Sequence, residues 1–372
     1  MSTTYTDLGV RPVINAAATL TRLGGSRMPP EVVEAMRSGA GAFVDMVELQ
    51  RHVGARIAEL TGNEACYVSS GAAAGIAISV AACIVGAQTE LVRQLPQIEP
   101  SNRPEVVMFR SQRNGYDQAA RLPGTRVVEV ESQVIEALEG ALSPRSACVL
   151  FFAGANFADG APSLEDIVRV AHAHQVPVLV DAAAQIPPLS SLRQFTCDMG
   201  ADAAIFSGGK GLRGPQSSGL VLGRRSLIEA CIVNGPPHQS LGRPMKVGKE
   251  ELLGILAAVE WSLAQDEPAL LASYEATVQR WIEGLQGLPG VTVERGYPSE
   301  AGQPHARAIV RLGAGTSLSR KQLVEALWDG DPRIAVGEVG TDAIALNPQT
   351  VEPGEDVLVL REVRRLLEAS SL

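Results

Sequence analysis

The chain is poor in aromatic residues, histidine and cysteine, and it has no long apolar run. Its five cysteines, at 66, 83, 148, 197 and 231, are odd in number and form no CxxC pair. Four of them sit in apolar segments, so buried thiols in a reducing compartment are expected rather than a disulfide framework or a zinc site. His172 and His174 lie two apart on a helical pattern and do not share a face, so they read as surface residues and not as metal ligands. The most apolar stretch, "GAAAGIAISVAACIVGA" (71–87), is too short and too rich in alanine and glycine to span a membrane. It reads as a buried core helix. The opening "MSTTYTDLGVRP" lacks an apolar signal core. Cations are outnumbered, 32 Lys and Arg against 41 Asp and Glu, for a net charge of −9. Such a surface repels polyanions, so nucleic acid is not the expected partner. A cytoplasmic protein is expected.

What the chain does have is length and alternation. Its 372 residues, 45% apolar, suffice for two or three domains. Strand-like runs at 65–70, 106–110, 147–152, 176–182, 203–207 and 219–223 alternate with helical patterns such as 72–86 and 163–175. Continuous apolar strands between amphipathic helices predict an α/β fold with a mostly parallel sheet covered on both faces. Residues 1–45 read as an arm plus a helix, with 15–30 as a loop. Residues 46–250 read as a large domain and 251–372 as a small α/β domain. The long helix at 247–265 is expected to leave the large domain. In the small domain, helices are expected at 270–287, 318–329 and 354–369, and strands at 291–296, 306–312, 332–336 and 342–346.

Three stretches place distinctive residues after apolar strands. In "YVSSGAAAG" (67–75), Ser-Ser-Gly opens a helix. Free backbone N–H groups and the positive end of the helix dipole make an anion site there, and the small residues let a phosphate come close. A serine N-cap with no ligand is an equal reading on this segment alone. In "VPVLVDAAAQIPP" (176–188), Asp181 ends a buried strand, where ligands of open α/β sheets bind. A carboxylate there needs a cation: a metal, an arginine or a protonated ring nitrogen. A helix cap or a structural ion pair is the plainer alternative. A magnesium role would need a phosphate loop ending Gly-Lys-Ser/Thr, which "GGKGLRG" does not supply. In "IFSGGKGLRGPQSSG" (205–219), Lys210 also follows a strand. Together these are the three groups that hold pyridoxal phosphate: a phosphate cup, a partner for the pyridinium N–H and an amine for the Schiff base.

On these motifs, with "VINAAATLTRLGGS" (13–26), "QRNGYD" (112–117) and "GRPMKVGKEELLGILAAVE" (242–260), the chain resembles the fold-type I pyridoxal-phosphate enzymes. Within them it is similar to the selenium-transferase-like, D-glucosaminate-6-phosphate ammonia-lyase family, over nearly its whole length. The resemblance implies the fold-type I transferase fold and pyridoxal 5'-phosphate as cofactor. It implies that Lys210 carries the cofactor and then moves protons at Cα, and that Asp181 keeps the ring nitrogen protonated. Ala183 would pack on the ring face. Gln185, four residues after the aspartate where related class V aminotransferases have glutamine after three, would reach the ring hydroxyl. Ser70, Gly71, Ala72 and Ser207 would cup the phosphate. One of Gln112, Arg113 and Tyr116 would cover the other ring face.

Arg22, Arg113, Arg213, Arg243, Lys246 and Lys249 gather cations within these motifs, consistent with an anionic substrate. Lys246 and Lys249 precede or open a helix, where the dipole disfavours cations; a ligand role or solvation would account for them. Ala17 and Ala18 stand where the ammonia-lyase relatives would be expected to carry a serine-glycine-like pair, so the resemblance does not carry the substrate over. The expected reaction is loss of a group from Cβ after carbanion formation at Cα, giving ammonia and a 2-oxo acid. Transamination, racemisation, aldol cleavage and selenium or sulfur transfer use the same cofactor. Selenium transfer to tRNA is disfavoured by the net charge and by the motif beginning at residue 13, which leaves no room before it for an RNA-binding domain. A non-catalytic protein retaining the fold is the alternative outside enzymes. The resemblance implies a homodimer or larger, with "HQSLGRP" (238–244) a candidate for completing the partner's phosphate cup.

Overall fold

The computed structural model describes residues 3–97, 104–154 and 160–369. In chain order the strands are β1 (Val13–Ala16), β2 (Ala65–Ser69), β3 (Glu105–Phe109), β4 (Arg126–Val130), β5 (Ser146–Phe152) and β6 (Val178–Asp181). They continue with β7 (Ala203–Ser207), β8 (Gly219–Gly223), β9 (Val291–Gly296), β10 (Arg307–Leu312), β11 (Arg333–Val339) and β12 (Ala343–Leu346). The longer helices are α1 (Pro30–Ala40), α2 (Met46–Thr61), α3 (Ala72–Val85), α4 (Leu164–Ala173), α5 (Arg225–Asn234), α6 (Lys249–Leu263), α7 (Glu267–Leu285), α8 (Arg320–Asp329) and α9 (Glu355–Ala369).

Two compact units divide the chain. Met28–Gln265 forms one around a seven-stranded sheet of order β2-β8-β7-β6-β5-β3-β4. Only β8 runs against the others, so six strands present their carboxyl ends at one edge. The central strands β3, β5, β6 and β8 are buried at every residue, as both-face coverage requires. The run at 71–87 is the core helix α3, buried almost throughout from Gly75 to Val85. Among the described residues no helix is long and apolar enough to cross a membrane.

The other unit joins the residues up to Arg27 with those from Asp266 onward. Its five-stranded sheet has the order β1-β11-β12-β10-β9 and packs Trp281, Leu323, Val359 and Val363 into its core. This division differs from boundaries at 45/46 and 250/251. Helix α6 stays with the large unit because it packs on α1: Gly39 lies against Lys249 and Glu250, and Gly254 against Met36. Residues 13–16, expected largely as arm and loop, form β1 because they pair in parallel with Arg333–Val336. The strand expected at 332–336 runs on to Val339.

Candidate functional site

Period-two alternation decides which strand-end residues share a face. Tyr67, Phe152, Leu179, Ile205 and Val221 pack in the cluster that contains α3, while Val68, Phe151, Val180, Phe206 and Leu220 pack in the opposite one. Ser69, Asp181 and Ser207 continue the first set, so they stand on the α3 side at the carboxyl ends of β2, β6 and β7.

The entry to α3 is drawn onto this edge. Gly219 of β8 pairs with Ser69 on one side and Ser207 on the other. A methyl group on Gly219 would lie 2.7 Å from the Gly71 carbonyl carbon and 2.9 Å from the Phe206 carbonyl oxygen. The Ser70–Gly71–Ala72 turn and the end of β7 therefore close over a residue with no side chain. Gly71 has φ +105°, a conformation L side chains rarely adopt. As N-cap it offers no side chain to the first amides of α3, which stay directed at the helix's positive end. The Ser69 hydroxyl donates to the Gly71 carbonyl at 2.9 Å and fixes the turn.

Asp181 closes β6 between Phe152 of β5 and Ile205 of β7. It is 8% exposed, and its Oδ1 accepts the Ala183 N–H at 2.9 Å. Burial pushes its carboxyl above the usual range; the Ala183 N–H and the positive charge of Lys210 pull it back. The lysine thus lies within electrostatic reach of the buried carboxylate, as expected of groups sharing one sheet edge. Ala183 and Gln185 follow on the same edge, half-buried, with Gln185 Nε2 donating to the Ala153 carbonyl at 3.4 Å.

Lys210 rides a closed loop. The Gly208 N–H donates to the Ser218 carbonyl at 2.8 Å, the Gly214 N–H to Gly208 at 2.8 Å and the Arg213 N–H to Lys210 at 3.0 Å. A methyl group on Gly211 would sit 2.1 Å from the Ile186 carbonyl oxygen. Close backbone approach, not mobility, explains a glycine beside the lysine.

Other expectations are corrected. Gln112 is wholly buried; its Nε2 donates to the Phe152 carbonyl at 3.3 Å and its Oε1 accepts the Phe152 N–H at 3.1 Å. It satisfies the backbone of β5 where β3 has ended and has no surface to offer a ring. Arg113 is an ion-pair residue: its Nε donates to Asp117 Oδ2 at 2.6 Å and its Nη1 to Glu129. With its charge matched by two carboxylates it is not placed to take a third. Tyr116 is exposed, on a turn capped by the Asn114 side chain. Arg213 lies over the Trp261 ring, 5.5 Å from its centroid, and Arg22, in the other unit, over Trp328 at 5.8 Å. Arg243 is half-buried, and no carboxylate pairs with it among the described residues. Lys249 is tied to the Gly39 carbonyl at 2.8 Å and to Glu250 at 2.5 Å, which removes it from ligand binding. His172 is no free surface group, since its Nε2 lies 2.8 Å from Asp202 Oδ2. Sequence reasoning assigned no role to Gly219 and Trp261. The Ser-Ser-Gly at 217–219, repeating 69–71, is the signal for the first; nothing local marks the second.

A profile of the aminotransferase class-V family matches residues 111–248. A D-glucosaminate-6-phosphate ammonia lyase of Salmonella typhimurium is 34% identical over 98% of this chain and 98% of its own. A 5'-C-glycyluridine monooxygenase-decarboxylase of a Streptomyces species is 33% identical over 98% of this chain and 92% of its own. A solved structure of D-glucosaminate-6-phosphate ammonia-lyase superposes with a TM-score of 0.85 at 33% identity, covering 100% of both chains.

Proposed function

We propose that this chain, which belongs to the pyridoxal-phosphate-dependent family of D-glucosaminate-6-phosphate ammonia-lyase, is itself an ammonia-lyase acting on an anionic amino acid or amino-sugar acid. Water is lost across Cα–Cβ of the substrate, and the resulting enamine hydrolyses to ammonia and a 2-oxo acid. The observation that carries the reading is that a buried Asp181 and Lys210 belong to the carboxyl ends of neighbouring strands of one sheet, with the charge of the lysine felt at the carboxylate.

The residues present fit the cofactor. A desolvated carboxylate that feels one lysine is a ready partner for a protonated ring nitrogen. A glycine-capped helix start, backed by Gly219 and Ser207, is a cradle for a phosphate dianion. When bound, the cofactor supplies a carbonyl that links to an amine and a ring that takes up the electron pair released at Cα. Lys210 would hold it and would move the proton at the substrate's Cα. Asp181 would keep the ring nitrogen protonated, Ser70, Gly71, Ala72 and Ser207 would bind the phosphate, and Ala183 and Gln185 would border the ring. Arg243, half-buried with no carboxylate partner among the described residues, is the cation best placed in charge terms for an anionic substrate. A cytoplasmic homodimer belongs to the same reading, by likeness to the family.

The test is a panel of 2-amino-3-hydroxy acids and amino-sugar acids, with and without a phosphate group. Ammonia and a 2-oxo acid are expected without any amino acceptor. A requirement for a 2-oxo acid co-substrate would make the protein an aminotransferase. Dioxygen uptake with carbon dioxide release would move it to the chemistry named for the Streptomyces relative.

A further inference from the structure

Among the described residues, three that are not glycine have a clearly positive φ: Ala18, Gln175 and Arg213. Gln175 follows the end of α4, a common place for a left-handed residue. Ala18 lies in the other compact unit. Arg213, at φ +55°, ends no helix. A side chain is strained in this conformation, and the strain persists only where the surroundings enforce it.

Those surroundings are specific. The Arg213 N–H donates to the Lys210 carbonyl at 3.0 Å and closes the turn that begins at the lysine. Its guanidinium lies over the Trp261 ring of α6. The preceding Leu212 is wholly buried, and its carbonyl accepts the Ser262 hydroxyl at 3.3 Å. Two adjacent residues of α6 therefore hold two adjacent residues of the loop. On the far side, the Gly214 N–H returns to the Gly208 carbonyl at 2.8 Å. A glycine would take this backbone without strain, yet the chain carries an arginine, whose planar cation reaches the indole and lies over it.

We propose that Arg213 is a positioning residue for Lys210: its left-handed backbone closes the Lys210–Arg213 turn and sets the direction in which the lysine amine leaves the loop. This rests on reading Lys210 as the cofactor-bearing lysine, and it reassigns Arg213 from substrate binding. The controlling property is the backbone conformation, not the charge.

The test uses the holoenzyme and the variants R213G, R213N and R213V. Glycine and asparagine accept the left-handed conformation; valine, β-branched, does not. The readouts are the pH midpoint of the bound cofactor's visible absorbance and the cofactor dissociation constant by absorbance titration, with melting curves to confirm folding. R213G and R213N are expected to keep the parent midpoint and to bind cofactor within about twofold of it. R213V is expected to move the midpoint and weaken cofactor binding about tenfold. Should R213V not fold, R213A takes its place, with a smaller change in the same direction. Equal shifts in all variants would assign the effect to the lost charge and overturn the proposal, as would no shift in any. Failure of borohydride to fix cofactor at Lys210 in the parent protein would instead overturn the reading beneath it.

Discussion

Replacing Asp181 by asparagine separates two effects of one carboxylate, and they have opposite signs. The side chain is 8% exposed and accepts a single Ala183 N–H at 2.9 Å. Asparagine keeps the shape and an oxygen for that bond, worth about 1 kcal/mol. It removes a charge that burial disfavours and that Lys210 only partly offsets, burial being the largest influence on this carboxyl. Without cofactor, D181N is therefore expected to be the more stable protein, by about 1 kcal/mol. That is a rise in Tm of roughly 1–2 °C for a chain of 372 residues. With cofactor the sign reverses, because an amide cannot hold a ring nitrogen protonated. Losing a hydrogen bond between charged groups costs about 1.5–3 kcal/mol, or roughly ten- to 150-fold in cofactor affinity. Melting curves with and without pyridoxal phosphate, beside an absorbance titration, measure both. A D181N protein that is less stable without cofactor, yet binds it as tightly as the parent, would refute the reasoning.

His305 makes stability pH-dependent. It is 2% exposed, with Nδ1 3.3 Å from the Ala306 carbonyl and Tyr274 edge-on at 5.4 Å. Burial lowers its pKa below the ordinary 6.5; the Ala306 carbonyl and Glu300 oppose this and Arg307 adds to it. A depressed folded pKa means the contribution is whole above about pH 6.5 and is lost as pH falls beneath it. Unfolding free energies taken down to about pH 5 should fall, and H305Q should flatten the slope; an unchanged slope contradicts this. G211A drives a methyl group into the Ile186 carbonyl and should weaken cofactor binding as the Lys210 loop shifts, with about 1–3 kcal/mol lost from stability. G140A, in the helix Ile135–Ala141 with nothing within 4 Å of the added methyl, should instead gain about 0.5–1 kcal/mol; denaturant titration of both checks the pair.

The central strands were legible because burial on both faces writes them as unbroken apolar runs, as in "ACVLFF" within β5 and "AAIFS" of β7. The edges were not. β4 is half exposed and reads "RVVEV", and β1 finds its partner more than 300 residues away, at Arg333–Val336. Asp181 and Lys210 are singled out by place alone: one ends an apolar strand and the other closely follows one. Contacts across the fold were beyond reach. That Gln112 would turn inward to Phe152, that Arg113 would be matched by Asp117 and Glu129, and that Trp261 would take the Arg213 guanidinium all depend on packing between distant segments. Spacing within a motif carries no trace of it.

The most direct measurement is borohydride reduction of the protein loaded with pyridoxal phosphate, followed by peptide mapping. The chain has four lysines, Lys210, Lys246, Lys249 and Lys321, so the outcome is discrete. Reduction should leave the cofactor on Lys210 alone. Label on another lysine, with Lys210 unmodified, would contradict the placement of the site at the carboxyl edge of the seven-stranded sheet.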